Sequence, residues 1–107
     1  MQTIIVKLDL KKLTNVDLGI SDRIVKRAEK ASGGVIIDGD YGYFSPDGSA
    51  AVWLSAENAA EGAKLLVKLF RSEKFCGNDL TKAAEVYVSE HEKALLFDCT
   101  KVFPSDK

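Results

Sequence analysis

Hydrophobic and polar positions alternate at the start of the chain. Ile4, Val6, Leu8 and Leu10 are interleaved with Ile5, Lys7, Asp9 and Lys11. Period two is that of a β-strand, so the segment predicts a strand with one buried face. The period then becomes helical. Ile24, Val25, Ala28 and Ala31 recur among Arg23, Lys26, Arg27 and Lys30, the pattern of an amphipathic helix. Ser21 is placed to cap it, Ile20 and Val25 to staple its entry, and Gly33-Gly34 to end it. Val35-Ile36-Ile37 opens a second strand, which Asp38-Gly39-Asp40-Tyr41-Gly42 interrupts. Ser45-Pro46-Asp47-Gly48 is a turn, because Pro fixes φ and Gly accepts positive φ. A third strand, Ser49 to Leu54, completes a hairpin with an irregular first arm. Ser55 is the expected cap of a second helix over Ala56 to Ser72, with Ala59, Ala63, Leu66, Val67 and Phe70 on its apolar face. Glu57 and Glu61 lie near its start and Lys68, Arg71 and Lys74 near its end, which suits the helix dipole. Gly62 weakens this helix by about 1 kcal/mol relative to Ala and permits close helix–sheet approach. A loop over Phe75 to Asp79, a fourth strand at Val86 to Val88, a polar turn over Ser89 to Lys93 and a short strand from Cys99 to Phe103, ended by Pro104, complete the chain.

The predicted order is β-α-β-β-α-β plus a terminal strand, in one domain over residues 1–107. That is the ferredoxin-like, split βαβ arrangement, an α+β fold with an antiparallel sheet and two helices on one face. Ile4, Val6, Leu8, Val52, Leu54, Val86 and Val88 then face the helices. Burial contributes about 1.5–3 kcal/mol for each such side chain before entropy is charged. The same parity turns Ile5, Lys7, Asp9, Trp53 and Tyr87 to the other side, with Trp53 and Tyr87 flanking Ile5 and Lys7. That face is either open to a partner, a second copy or a ligand, or covered by the terminal strand or the 89–98 segment.

Composition changes the picture mainly by exclusion. Fifteen basic and 16 acidic residues leave a net charge of −1, without the basic excess that a duplex nucleic-acid binder needs. No apolar run approaches the roughly 20 residues of a membrane span, and the first residues do not read as a signal peptide. A cytoplasmic protein without membrane association is expected. Cys76 and Cys99 then read as free thiols.

Candidate chemistry is sparse. Asp38, Asp40 and Asp47 could suggest a cation loop, but the twelfth position counted from Asp38 is Ser49 where an EF-hand requires Glu. Glycine-rich phosphate loops and the zinc spacings of CxxC or HExxH do not occur. His91, the sole histidine, shares no recognised catalytic pattern with either cysteine. No cofactor and no catalysis are expected. Val52-Trp53-Leu54-Ser55-Ala56-Glu57-Asn58-Ala59-Ala60-Glu61-Gly62-Ala63 resembles the third strand and second helix of an RNA recognition motif, over about a fifth of the chain. Ala50 and Ala51 stand where that motif stacks bases, which makes a nucleic-acid partner an unfavoured expectation.

What remains is a set of aromatics interleaved with carboxylates: Asp38, Asp40, Tyr41, Tyr43, Phe44, Asp47 and Trp53, with Tyr87 nearby. Aromatics supply contact area and carboxylates steer a basic partner. In size and in this acidic, aromatic loop the chain resembles small immunity proteins that neutralise bacterial toxins. The resemblance implies binding to a toxin domain without catalysis. The alternative is a ligand-binding or regulatory domain that homodimerises through its sheet.

Overall fold

The computed structural model describes residues 1–15, 19–45, 47–92, 94–95 and 98–103, with only the backbone at Asp40. Pro46 and Lys93, expected in turns, and Pro104, expected to end the last strand, lie outside the described residues, as does the Asp40 side chain. The strands are β1 (Gln2–Asp9), β2 (Ile36–Phe44), β3 (Ser49–Ala56), β4 (Ala84–Ser89) and β5 (Thr100–Phe103). The helices are α1 (Ile20–Ser32), α2 (Ala59–Ser72) and the short α3 (Leu80–Ala83). The fold is α+β. Among the described residues, five strands form one sheet in the order β2-β3-β1-β4-β5, and every neighbouring pair is antiparallel.

Strand parity divides the side chains as the alternation implies. Ile4, Val6, Leu8, Val52, Leu54, Val86 and Val88 join the main core with Ile24, Ala28, Leu66 and Phe70 from α1 and α2. Both long helices therefore cover the same side of the sheet. On the other side Ile5, Ala51 and Trp53 form a separate buried cluster, with Tyr87 and Cys99 packed against it.

Several boundaries differ from the expectation. Asp9 ends β1, because its carboxylate accepts the Lys11 amide at 3.0 Å and residues 10–12 turn into a 3₁₀ segment. Ser21 does not cap α1. The helix starts at Ile20, with the Arg23 amide already bonded to the Gly19 carbonyl at 3.0 Å. Ser55 does not cap α2 either. β3 continues to Ala56, which pairs with Gln2 and Ile36, and Asn58 accepts the Glu61 amide at 3.1 Å instead. Gly33 ends α1 in the left-handed conformation, as expected, at φ 65°. The short α3 falls in a stretch that carries no helical period.

Gly62 sits where α2 meets the sheet. A Cβ there would lie 2.8 Å from Ile4 Cδ1 and 3.4 Å from the Ala56 methyl. The helix gives up intrinsic propensity at this position and gains proximity to the core. Replacing Gly62 by Val is expected to destabilise the fold by about 1–3 kcal/mol through overpacking, measured by urea denaturation. Unchanged stability would show that the core has slack at this contact.

Candidate functional site

The aromatic and acidic residues picked out in the sequence gather around β2, an edge strand. Asp38 pairs with Leu54 and Gly42 with Val52, so Gly39, Asp40 and Tyr41 stand opposite the single residue Trp53. The segment expected to break the strand is thus an irregular bulge within it, three residues against one. Glycine is required at its start. A Cβ on Gly39 would lie 2.6 Å from the Trp53 carbonyl oxygen, a separation that no side chain tolerates. The bulge lifts Tyr41 over the sheet, its ring centroid 4.9 Å from that of Trp53 in an edge-to-face arrangement. Tyr43 lies 5.9 Å from the same indole and 6.5 Å from Tyr41.

Trp53 itself is only 7% exposed. Its indole N–H donates to the Ala94 carbonyl at 2.8 Å. Thr3 Oγ1 donates to the His91 carbonyl at 2.7 Å and accepts the Ala94 amide at 3.2 Å. The chain after β4 is thereby tied down across the outward side of the sheet. Of the two arrangements left open by the alternation, the covered one occurs, and Trp53 is a support beneath the tyrosines rather than an exposed anchor. The missing signal was chemical: a buried indole N–H needs an acceptor, and strand alternation does not say which segment brings it.

Tyr87 packs against the same Ile5–Trp53 cluster, as the alternation implies, but from the side away from the tyrosines of β2. Ile5 pairs with Trp53 on one side and Tyr87 on the other, which puts Tyr87 on β4, away from the β2 edge. Its hydroxyl donates to Glu85 Oε1 at 3.0 Å, and Lys101 Nζ lies 3.7 Å from Glu85. Burial, with Glu85 beside it, raises the Tyr87 pKa. Asp38 and Tyr43 occupy positions of opposite parity on β2, opposite Leu54 and Ala51. Asp38 pairs with a helix-facing position and lines a groove of about 490 Å³ with Asp22, Val25, Tyr41, Gly42 and Phe44. Asp47 sits in the hairpin turn, accepting the Ser49 amide at 3.0 Å and its hydroxyl at 2.6 Å. Hydrogen bonds from Ser49 and Ser45 hold its carboxyl below the usual range, so it is anionic at neutral pH.

Exposure concentrates on this edge. Tyr41 is 61% exposed, Phe44 43% and Tyr43 37%; Val35 and Ile37 are exposed too. Beyond them, the exposed large hydrophobics among the described residues are Met1, Leu95 and Val102.

Burial raises the Cys99 pKa, with Asp98 adding to it, and a raised pKa disfavours the reactive thiolate. Cys76 occupies a two-residue turn at φ 53° between the bridged residues Phe75 and Asn78. Its carbonyl accepts from Asn15 Nδ2 at 3.1 Å. His91 is exposed, and its amide donates to Ser89 Oγ at 3.1 Å. Among the described residues, no group of His, Cys, Asp and Glu is placed to hold a metal ion, and no helix is long and apolar enough to cross a membrane.

No family model matches this chain, and neither a curated protein nor a solved structure shows significant similarity to it.

Replacing Trp53 by Phe keeps most of the packing and removes the N–H donor, leaving the Ala94 carbonyl without it. The variant is expected to lose about 1–3 kcal/mol and to show faster hydrogen exchange at Ala94. Unaltered Ala94 protection would mean that the segment is held by other contacts.

Proposed function

We propose that this chain is a protein-interaction module that engages a basic partner surface through β2, and that it acts by occupying that surface rather than by catalysis. The observation that carries the reading is the concentration of exposed apolar side chains at Val35, Ile37, Tyr41, Tyr43 and Phe44 along one unpaired sheet edge. Large rigid aromatics provide contact area at low entropic cost. The outer edge of β2 offers backbone N–H and C=O groups to an incoming strand. Asp38 and Asp47 add negative potential that favours encounter with a cationic partner. A neutralising partner of a bacterial toxin domain, as in small immunity proteins, fits these properties. Cys76 and Cys99 are unbonded, which suits a cytoplasmic setting.

The fold reading belongs with this proposal. Helices α1 and α2 each link two strands of the sheet, and the spatial order β2-β3-β1-β4 supports a split βαβ, ferredoxin-like core extended by β5. Closure of the outward face by the segment around Ala94 weighs against a regulatory domain that dimerises through that face.

The test is co-expression with the product of the neighbouring gene, followed by gel filtration and titration of the purified pair. A stable complex is expected, with the combined Tyr41→Asp and Tyr43→Asp substitutions weakening it about 30-fold or more, corresponding to a hot spot of about 2 kcal/mol. Equal affinity of the substituted and native proteins would remove β2 as the binding edge.

A further inference from the structure

Among the described residues the sheet has a second free edge, and its chemistry differs from that of the first. β5 pairs, among the described residues, with β4 alone. Between it and α2 runs a groove of about 540 Å³, lined by Ala63, Val67, Val102 and Phe103 with Lys64, Lys68 and Arg71 beside them. Every charged side chain of the lining is cationic. Val67 is half-buried and Val102 exposed, so apolar surface is left uncovered between the cations. Arg71 is positioned over the Phe103 ring, 5.8 Å from its centroid, a cation–π contact that orders the guanidinium. Lys64 makes an exposed contact with Glu61 at 3.9 Å, which is too weak to compete with a partner carboxylate.

We infer that this groove is a docking site for an extended, acidic peptide segment of a partner protein, bound as an added strand on β5 with its side chains against α2. Three features select that occupant. The free edge of β5 supplies the main-chain hydrogen bonds of strand addition. The cations accept carboxylates, and the apolar floor accepts the methylene stems of the same acidic side chains. The spacing also agrees. Lys64 and Lys68 are separated by about 6 Å along the helix axis, close to the ~6.7 Å between same-face residues of a strand. Acidic side chains at alternate positions of one strand therefore meet successive cations of the helix. This site is separate from the β2 edge and stands or falls without it.

The probe is a fluorescein-labelled hexapeptide of alternating Glu and Val, blocked at both ends, titrated into the full chain by anisotropy and by amide chemical shifts. The expected result is saturable binding that perturbs amides of β5 and α2 and weakens with salt. Binding should fall about ten-fold or more with Lys64→Glu plus Lys68→Glu. Both positions are exposed, and an unchanged amide spectrum elsewhere verifies the fold of the variant. Failure to bind at millimolar peptide would overturn the inference. So would equal binding by the variant or by a Lys and Val peptide. Self-association abolished by Lys68→Glu would assign the groove to a second copy instead. Binding that appears only after residues 104–107 are removed would assign it to the chain's own terminus. Either outcome defeats the proposal.

Discussion

The donation from Trp53 Nε1 to the Ala94 carbonyl governs which surfaces of this molecule are available. An indole on the outward side of a sheet would ordinarily be the strongest attraction for a partner. Here the stretch after β4 lies over it, fastened through Thr3 and the backbone at His91 and Ala94, while Tyr41 and Tyr43 cover the rim nearer β2. The outward side becomes a second small core around Ile5, Ala51 and Trp53. Apolar surface that still meets solvent is displaced to the sheet edge.

The bulge in β2 follows from the same constraint. Three residues face one, and the backbone passes so close to the Trp53 carbonyl that only Gly39 fits. This irregularity carries Tyr41 over the indole. It also limits indiscriminate strand pairing, since bulges and edge carboxylates discourage aggregation. The two edges of the sheet then differ in chemistry. β2 joins aromatics to Asp38, with Asp47 in the adjoining turn. β5, with α2, joins an apolar floor to Lys64, Lys68 and Arg71. A net charge of −1 conceals this segregation.

Local periodicity made the main core legible. The alternation of Ile4, Val6 and Leu8 and the helical spacing of Ile24 and Ala28 specify which faces meet, because burial of one face rules out a one-residue slip. The caps were less legible. Ser21 and Ser55 are good cap residues by type, yet Ile20 is drawn into the first turn of α1, and Ala56 is retained by two neighbouring strands. Tertiary pairing outweighs a cap worth about 1 kcal/mol. Within the candidate site, the tyrosines of β2 were found from composition and alternation. The separation of Tyr87 from them, the turn-bound state of Asp47 and the covering of Trp53 depend on contacts between residues distant in sequence, which no local period encodes.

Trp53 is the sole tryptophan, so its fluorescence reports directly on whether the outward side is closed. The account predicts blue-shifted emission from the native protein and little quenching by acrylamide, both changing to solvent-exposed behaviour only on global unfolding. Red-shifted, readily quenched emission under native conditions would contradict it, because the indole would then itself be the exposed surface.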